Sequence, residues 1–265
     1  MRYRAPILSA LVCFMAVKVP AWPAPAIYDF DEAVRRGVVD FIVNPWANVQ
    51  YDDIIANLPK INPGLVNRLG FQYGGVTLKK LDYTGDAAKR VHQVLPSARI
   101  GGGFPENLKT ACSEKLPCDD EADLRTFSRP EVTSRPAGTG GKYYWIDPSL
   151  AAAQDYYICV GKTQVRRGFT HFHFEKSDNI LKQSASRLGS IAGYARVRDE
   201  LIKYGKSRGV QLSFSGEPDL AREVPLDSLH IPARLYEETF AQEYPTVCGD
   251  LEAVRQALVI QGSPK

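Results

Sequence analysis

Residues 169–175, Phe-Thr-His-Phe-His-Phe-Glu, and 210–217, Val-Gln-Leu-Ser-Phe-Ser-Gly-Glu, decide the fold. Side chains alternate across a strand, so Phe172 and Phe174 take one face while His171, His173 and Glu175 take the other. In the second stretch Val210, Leu212 and Phe214 share a face opposite Gln211, Ser213, Ser215 and Glu217. A strand inside an open doubly wound sheet has helices on both sides and is apolar on both. One apolar and one polar face instead suit a closed barrel, with helices outside and polar groups within.

The same plan recurs outward from these two strands. Gly37–Asn44, Leu69–Val76 and Ala98–Phe104 read as earlier strands, and Ser228–Ala233 as a weaker later one. Helical periodicity separates them over Gly85–Leu95, from Asp147 to Gly168, and along Ile191, Tyr194, Val197, Leu201 and Tyr204. Asp147 reads as an N-cap with Pro148 at the first helical position. Strands alternating with helices argue for βαβ units and a parallel sheet. The expected fold is therefore α/β, a TIM-like (β/α) barrel. Fewer strands can be counted than the eight of a full barrel, so a barrel incomplete or truncated toward the C-terminal end is expected.

The chain is expected to hold an export signal at 1–26 and one barrel-like domain at 27–265. Arg2 and Arg4, the apolar run Ile7–Val17, and Ala24-Pro25-Ala26 have the order of a cleavable leader. The run is short for a bilayer span of about 20 residues. A secreted or periplasmic protein with no membrane partner after processing follows. The formal charge of +3 sits in the leader: without Arg2, Arg4 and Lys18, basic side chains equal the 30 acidic ones. That balance, and the lack of a basic helix or zinc-finger pattern, gives no reason to expect a nucleic-acid partner.

Periodicity is lost between 107 and 142, where Gly and Pro breakers and the acidic residues 119–123 cluster. A connection this long reads as an irregular insert, a lid or a disordered segment. It holds Cys112 and Cys118, six apart, for which a local disulfide is expected in an oxidising compartment. Cys159 reads as a packed thiol on the buried face of a helix.

Both polar strand faces end in a carboxylate, Glu175 and Glu217. Glu106 stands at the equivalent place after Gly101-Gly102-Gly103-Phe104-Pro105, and Asn44 closes the first strand. In a (β/α) barrel that end collects catalytic groups. Each carboxylate could instead cap a helix or pair with an arginine. Gly101–Gly103 lacks the spacing of a dinucleotide fingerprint and reads as a strand kept narrow by glycine, so no cofactor is expected.

The run from Trp145-Ile-Asp-Pro-Ser to Gly168-Phe-Thr-His-Phe-His-Phe-Glu175 resembles a pattern in glycoside-hydrolase-type (β/α)8 barrels. There an Asp-Pro-led helix precedes a strand ending in a catalytic or sugar-binding acid. Gly216-Glu217-Pro218 is similar to the Asn-Glu-Pro strand end of one large glycosidase clan, with Gly216 in place of the sugar-contacting Asn. The resemblance covers about residues 145–218 and identifies no single family. It implies a glycosidase with carbohydrate as substrate or ligand. Glu175 would be nucleophile or base, with His173 below it able to hydrogen-bond it. Glu217 would be the general acid, its pKa raised by Glu175. Glu106, His173, Asn44 and Trp46 would contact sugar. Two other readings stand beside this one. One is an exported carbohydrate-binding or interaction protein without catalysis. The other is a metal-dependent hydrolase using His171, His173 and Glu175 at i, i+2 and i+4.

Overall fold

The run of three glycines that ends Arg99–Gly103 shows how tightly the central sheet is assembled. In the computed structural model, which describes residues 26–40, 55–56, 58–60, 62–69, 78–109, 113–136 and 143–229, a Cβ on Gly101 would stand 2.8 Å from Asn67 Cα on the neighbouring strand. One on Gly102 would stand 3.0 Å from Gln164 Cδ on a helix. Glycine lets this strand approach another strand on one face and a helix on the other.

In chain order the strands are β1 (Val38–Asp40), β2 (Leu65–Asn67), β3 (Arg99–Gly103), β4 (Asn107–Lys109), β5 (Ser113–Pro117), β6 (Leu124–Ser128), β7 (Thr133–Pro136), β8 (Tyr143–Ile146), β9 (His171–Phe174), β10 (Ser213–Gly216) and β11 (Ser228–Leu229). The helices are α1 (Phe30–Arg36), α2 (Leu78–Val94), α3 (Arg129–Val132), α4 (Ala151–Arg166), α5 (Ser177–Gln183), α6 (Arg187–Ser207) and α7 (Pro218–Ala221). The main sheet has the order β1-β2-β3-β9-β10-β11, parallel throughout. Each later strand joins the same edge, without the reversal that defines a doubly wound sheet. This is the winding of a (β/α) barrel. Among the described residues the sheet stays open, with β1 and β11 at its edges.

The outer face carries an apolar cluster. Phe104, Phe172, Phe174 and Phe214 stack in a row with centroids 5.0–5.9 Å apart. Tyr157 of α4 and Tyr194 of α6 close over them, 5.2 Å from Phe104 and 5.0 Å from Phe174. The helices end where their glycines allow a left-handed turn, at Gly168 (φ 93°) and Gly209 (φ 70°). At the N-terminal end of the strands, buried Arg99 donates to the carbonyls of Tyr28, Thr170 and Gln211 at 2.6–3.0 Å. Phe30, the first residue of α1, stacks on His171 at 5.4 Å and covers the inner face from below.

Several expectations need correcting. A strand that was not expected stands at Leu65–Asn67; of the expected strand Leu69–Val76 only Leu69 is described, in the turn that follows, and 70–77 lie outside the described residues. A three-residue strand shows no alternation, whereas the aromatic, glycine-containing stretch after it has stronger β-propensity. Helix α4 begins at Ala151, not at Pro148. Asp147 serves elsewhere: buried in a turn, it accepts from the N–H groups of Ser149 and Ala185 and from Ser190 Oγ. Burial raises its pKa, but these hydrogen bonds outweigh that and hold it below the usual carboxylate range.

The insert is not irregular where it is described. Strands β4, β8 and β7 form an antiparallel sheet, and β5–β6 a hairpin. Their register depends on pairing between distant residues, which a local pattern does not show. The expected Cys112–Cys118 bridge is replaced by Cys118–Cys159, which ties the hairpin to α4. Spacing alone favoured the local pair; folding brings the hairpin end against the helix. Thr163 Oγ1 donates to Pro117 O at 2.6 Å, and Arg166 donates to the carbonyls of Pro117 and Cys118. The insert is thus fastened to the outer helix layer. Cys112 lies outside the described residues.

Candidate active site

The register of the central strands lines up the inner face in rows. Gly101, His171 and Ser213 form one row, and Gly103, His173 and Ser215 the next. Phe174 and Gly216 are the last registered pair, so Glu175 and Glu217 follow on neighbouring strand ends. Phe104 N–H donates to His173 O, which fixes the end of β3 beside them. Alternation puts these groups on one side, and almost all are buried.

A chain of polar contacts runs up this face. Ser213 Oγ lies 2.9 Å from His171 Nδ1, and His171 Nε2 lies 2.9 Å from Ser215 Oγ. Ser215 Oγ lies 2.9 Å from His173 Nδ1 as well. His173 Nε2 is 3.3 Å from Glu175 Oε2, outside the limits of a directed hydrogen bond. The same Oε2 is 3.2 Å from Arg68 Nη1, an ion pair with both side chains 2% exposed or less. Burial drives the His171 pKa down to about 3, with Arg99 adding to the shift. Burial, then Arg68 and His171, also holds His173 well below its ordinary value. Both rings are neutral at physiological pH.

Glu217 is half-buried and caps a helix: its Oε2 accepts from Asp178 N–H at 2.7 Å, at the start of α5. Asp178 Oδ1 answers by accepting from Asp219 N–H and Leu220 N–H in α7. The Glu217 pKa is raised. Burial is the main cause; the charges of Asp178 and Glu175 add to it, and the Asp178 N–H bond opposes it. The direction matches the sequence argument, but the leading cause is burial rather than Glu175. Glu106 is also buried and accepts from Asn107 Nδ2 at 3.2 Å. Its charge, after burial, raises the pKa of Tyr157 on the helix side.

The structure brings His173 and Glu175 into contact and places Glu217 at the neighbouring strand end, near enough for the Glu175 charge to raise its pKa; Glu106 follows three residues after the end of β3. Asn44 and Trp46 fall outside the described residues. Arg68, Ser213 and Ser215 were not singled out as site residues from sequence. The serines were visible as the polar face of their strand. Arg68 was hidden because the short strand before it was not expected: a basic residue directly after Leu65-Val66-Asn67 was its signal. For a metal the donor set fits poorly, since both ring nitrogens of His171 are engaged by serine hydroxyls. Among the described residues, no three His, Cys, Asp or Glu side chains are grouped to hold a metal ion.

The charged groups thus gather at the C-terminal ends of singly wound parallel strands. The chain is similar to several solved structures, α-galactosidases among them, each at a TM-score below 0.5. An α-galactosidase from Thermus thermophilus shares 13% identity at a TM-score of 0.47, over 73% of this chain and 40% of that one. Amy13B from Eubacterium rectale shares 10% at 0.48, over 89% of this chain and 57% of that one. The GH36 α-galactosidase AgaA from Geobacillus stearothermophilus shares 14% at 0.47, over 84% of this chain and 34% of that one. The chain spans between a third and three fifths of the length of these enzymes. No protein-family model matches the chain, and no curated protein does.

Proposed function

We propose that the protein is an exported glycoside hydrolase in which Glu217 is the general acid and Glu175 the nucleophile or base. One observation carries the reading. Two carboxylates stand on neighbouring strand ends in unlike environments, Glu175 against a buried arginine and Glu217 with its pKa raised, chiefly by burial. That division suits glycosidic cleavage. Glu217 protonates the leaving oxygen while Glu175 attacks the anomeric carbon or takes a proton from water. His173 supports Glu175 from below, and Glu106, Asn44 and Trp46 contact sugar. The Cys118–Cys159 bridge supports an oxidising compartment, secreted or periplasmic. Among the described residues no helix is long and apolar enough to cross a membrane.

The test is hydrolysis of a panel of aryl glycosides by the processed protein and by Glu175→Gln and Glu217→Gln. Each substitution should lower kcat by at least about a thousandfold while the fold is retained. Activity unchanged in both variants would remove the assignment. A second reading, carbohydrate binding without catalysis, is favoured by one specific feature: Glu175 is only 3% exposed. Sugar affinity with no turnover in the parent protein is its signature.

A further inference from the structure

The polar chain on the inner face has a direction, and its logic starts at one hydroxyl. Ser215 Oγ is within hydrogen-bond distance of two imidazole nitrogens, His171 Nε2 and His173 Nδ1. A hydroxyl has one proton and two lone pairs, so where it gives that proton to one ring it accepts from the other. A neutral imidazole likewise carries one N–H and one lone pair. With both rings neutral, two arrangements give the Ser215 proton to one of them. In the first, Ser213 donates to His171 Nδ1, His171 Nε2–H donates to Ser215, Ser215 donates to His173 Nδ1, and His173 carries its proton on Nε2. In the second, every one of these protons is reversed.

The upper end selects between them. His173 Nε2 faces Glu175 Oε2 at 3.3 Å, and the Arg68 guanidinium pairs with that same oxygen at 3.2 Å. The second arrangement would point a bare ring lone pair at a carboxylate oxygen, which is repulsive at this distance and poorly screened in a buried site. The first sets an N–H beside it, an attractive contact of dipole and charge although not a directed hydrogen bond. The lower end agrees, because Phe30 covers His171 with an apolar ring and supplies no competing acceptor.

We propose that Ser213, His171, Ser215 and His173 form a directional hydrogen-bond relay that locks both histidines as Nε2–H tautomers and fixes the orientation of Glu175. These four are positioning residues; Glu175 is the group that meets substrate. Their link to catalysis rests on the glycosidase reading, but the proton order does not. The arrangement explains why two serines and two histidines share one buried face, where each polar atom needs a partner. It also makes Ser215 the joint of the relay, since its removal separates the two rings.

Long-range nitrogen–proton NMR of the imidazole side chains tests this in the unliganded protein, with Ser215→Ala and Ser215→Thr beside it. In the parent protein both rings should carry the proton on Nε2. Ser215→Ala should leave at least one ring as a mixture of tautomers, and Ser215→Thr should restore the parent pattern. Where a hydrolysed glycoside has been found, Ser215→Ala should lower kcat by about tenfold with KM unchanged, and the threonine variant should recover it. An Nδ1–H tautomer on either ring of the parent protein overturns the relay, and this result needs no variant to fold. Identical spectra for parent and Ser215→Ala overturn it equally. Ordered Nε2–H tautomers in a protein that cleaves no glycoside uphold the relay and count only against the glycosidase reading.

Discussion

On β9, Phe172 and Phe174 are sealed against the helices, while His171 and His173, one residue away, are sealed on the opposite side. All four are 1% exposed or less. The phenyl rings are held by contact area and stacking, which tolerate small adjustments. The imidazoles are held by hydrogen bonds, and each unanswered nitrogen would carry its own desolvation cost. Alternation in a sequence separates two faces of a strand; it does not say that the polar one meets water. In this sheet both faces are interior, one packed by area and the other by pairing.

The strongest way to break the comparison is to delete one member on each side. Phe174→Ala removes a ring stacked on Phe104 and Phe214 and edge-on to Tyr194. It should cost about 3–5 kcal/mol in urea unfolding. Arg68→Met should cost a similar amount, about 3–5 kcal/mol, for another reason: it leaves Glu175 as a buried charge without its cation. The faces then part company in double variants. Adding Glu175→Leu to Arg68→Met should restore much of the loss, because an apolar pair replaces an ion pair. A second deletion in the phenylalanine row has no such remedy and should deepen the loss. If Arg68→Met with Glu175→Leu is less stable than Arg68→Met alone, the inner face is not held by pairing.

The two faces also differ in how legible they were. Phe172, Phe174 and Phe214 could be assigned from alternation, because apolar side chains announce their face locally. So could the order of strands, since helices and strands alternate along the chain. The partners of the polar face could not. Arg68 comes from a strand of three residues and meets Glu175 across 107 positions of sequence. Glu217 was read as a general acid with helix capping as its alternative; one of its oxygens does cap α5, but which helix it caps is set by where Asp178 is carried. The insert was missed for the same cause: its short strands pair with distant segments, and the Cys118–Cys159 bridge is visible only after they do.

That bridge sharpens the comparison from outside the sheet, because it supports the apolar layer alone. It closes a sequence separation of 41 and holds the β5–β6 hairpin on α4. Cys159→Ser should lower stability by about 2–4 kcal/mol, chiefly by freeing the unfolded chain. The tautomers of His171 and His173 should not change, since neither ring touches α4 or the hairpin in the contacts described above. A shift in either ring would mean that the two faces are coupled through the sheet.

The smallest expected effect lies at the rim, where Glu217 and Asp178 cap one another's helices. Both carboxyls have raised pKa values, led in each case by burial. A carboxyl whose folded pKa lies above its unfolded value binds its proton more readily in the folded state. Such a group therefore weakens the fold at neutral pH, where it is charged, and this weakening is relieved as pH falls through the raised value. Asp178→Asn keeps an Oδ1 acceptor for the N–H groups of Asp219 and Leu220 and removes one charge beside Glu217. At neutral pH it should raise stability by at most about 1 kcal/mol, given the partial exposure of the pair. Below the carboxylate range the difference should vanish. The Glu217 pKa should fall toward its ordinary value without reaching it, because burial and Glu175 remain. Carbon-detected titration of Glu217 in parent and variant reads this directly. An unmoved Glu217, or a variant less stable at neutral pH, would show that the rim is held by capping geometry and that charge repulsion between the two carboxylates contributes nothing.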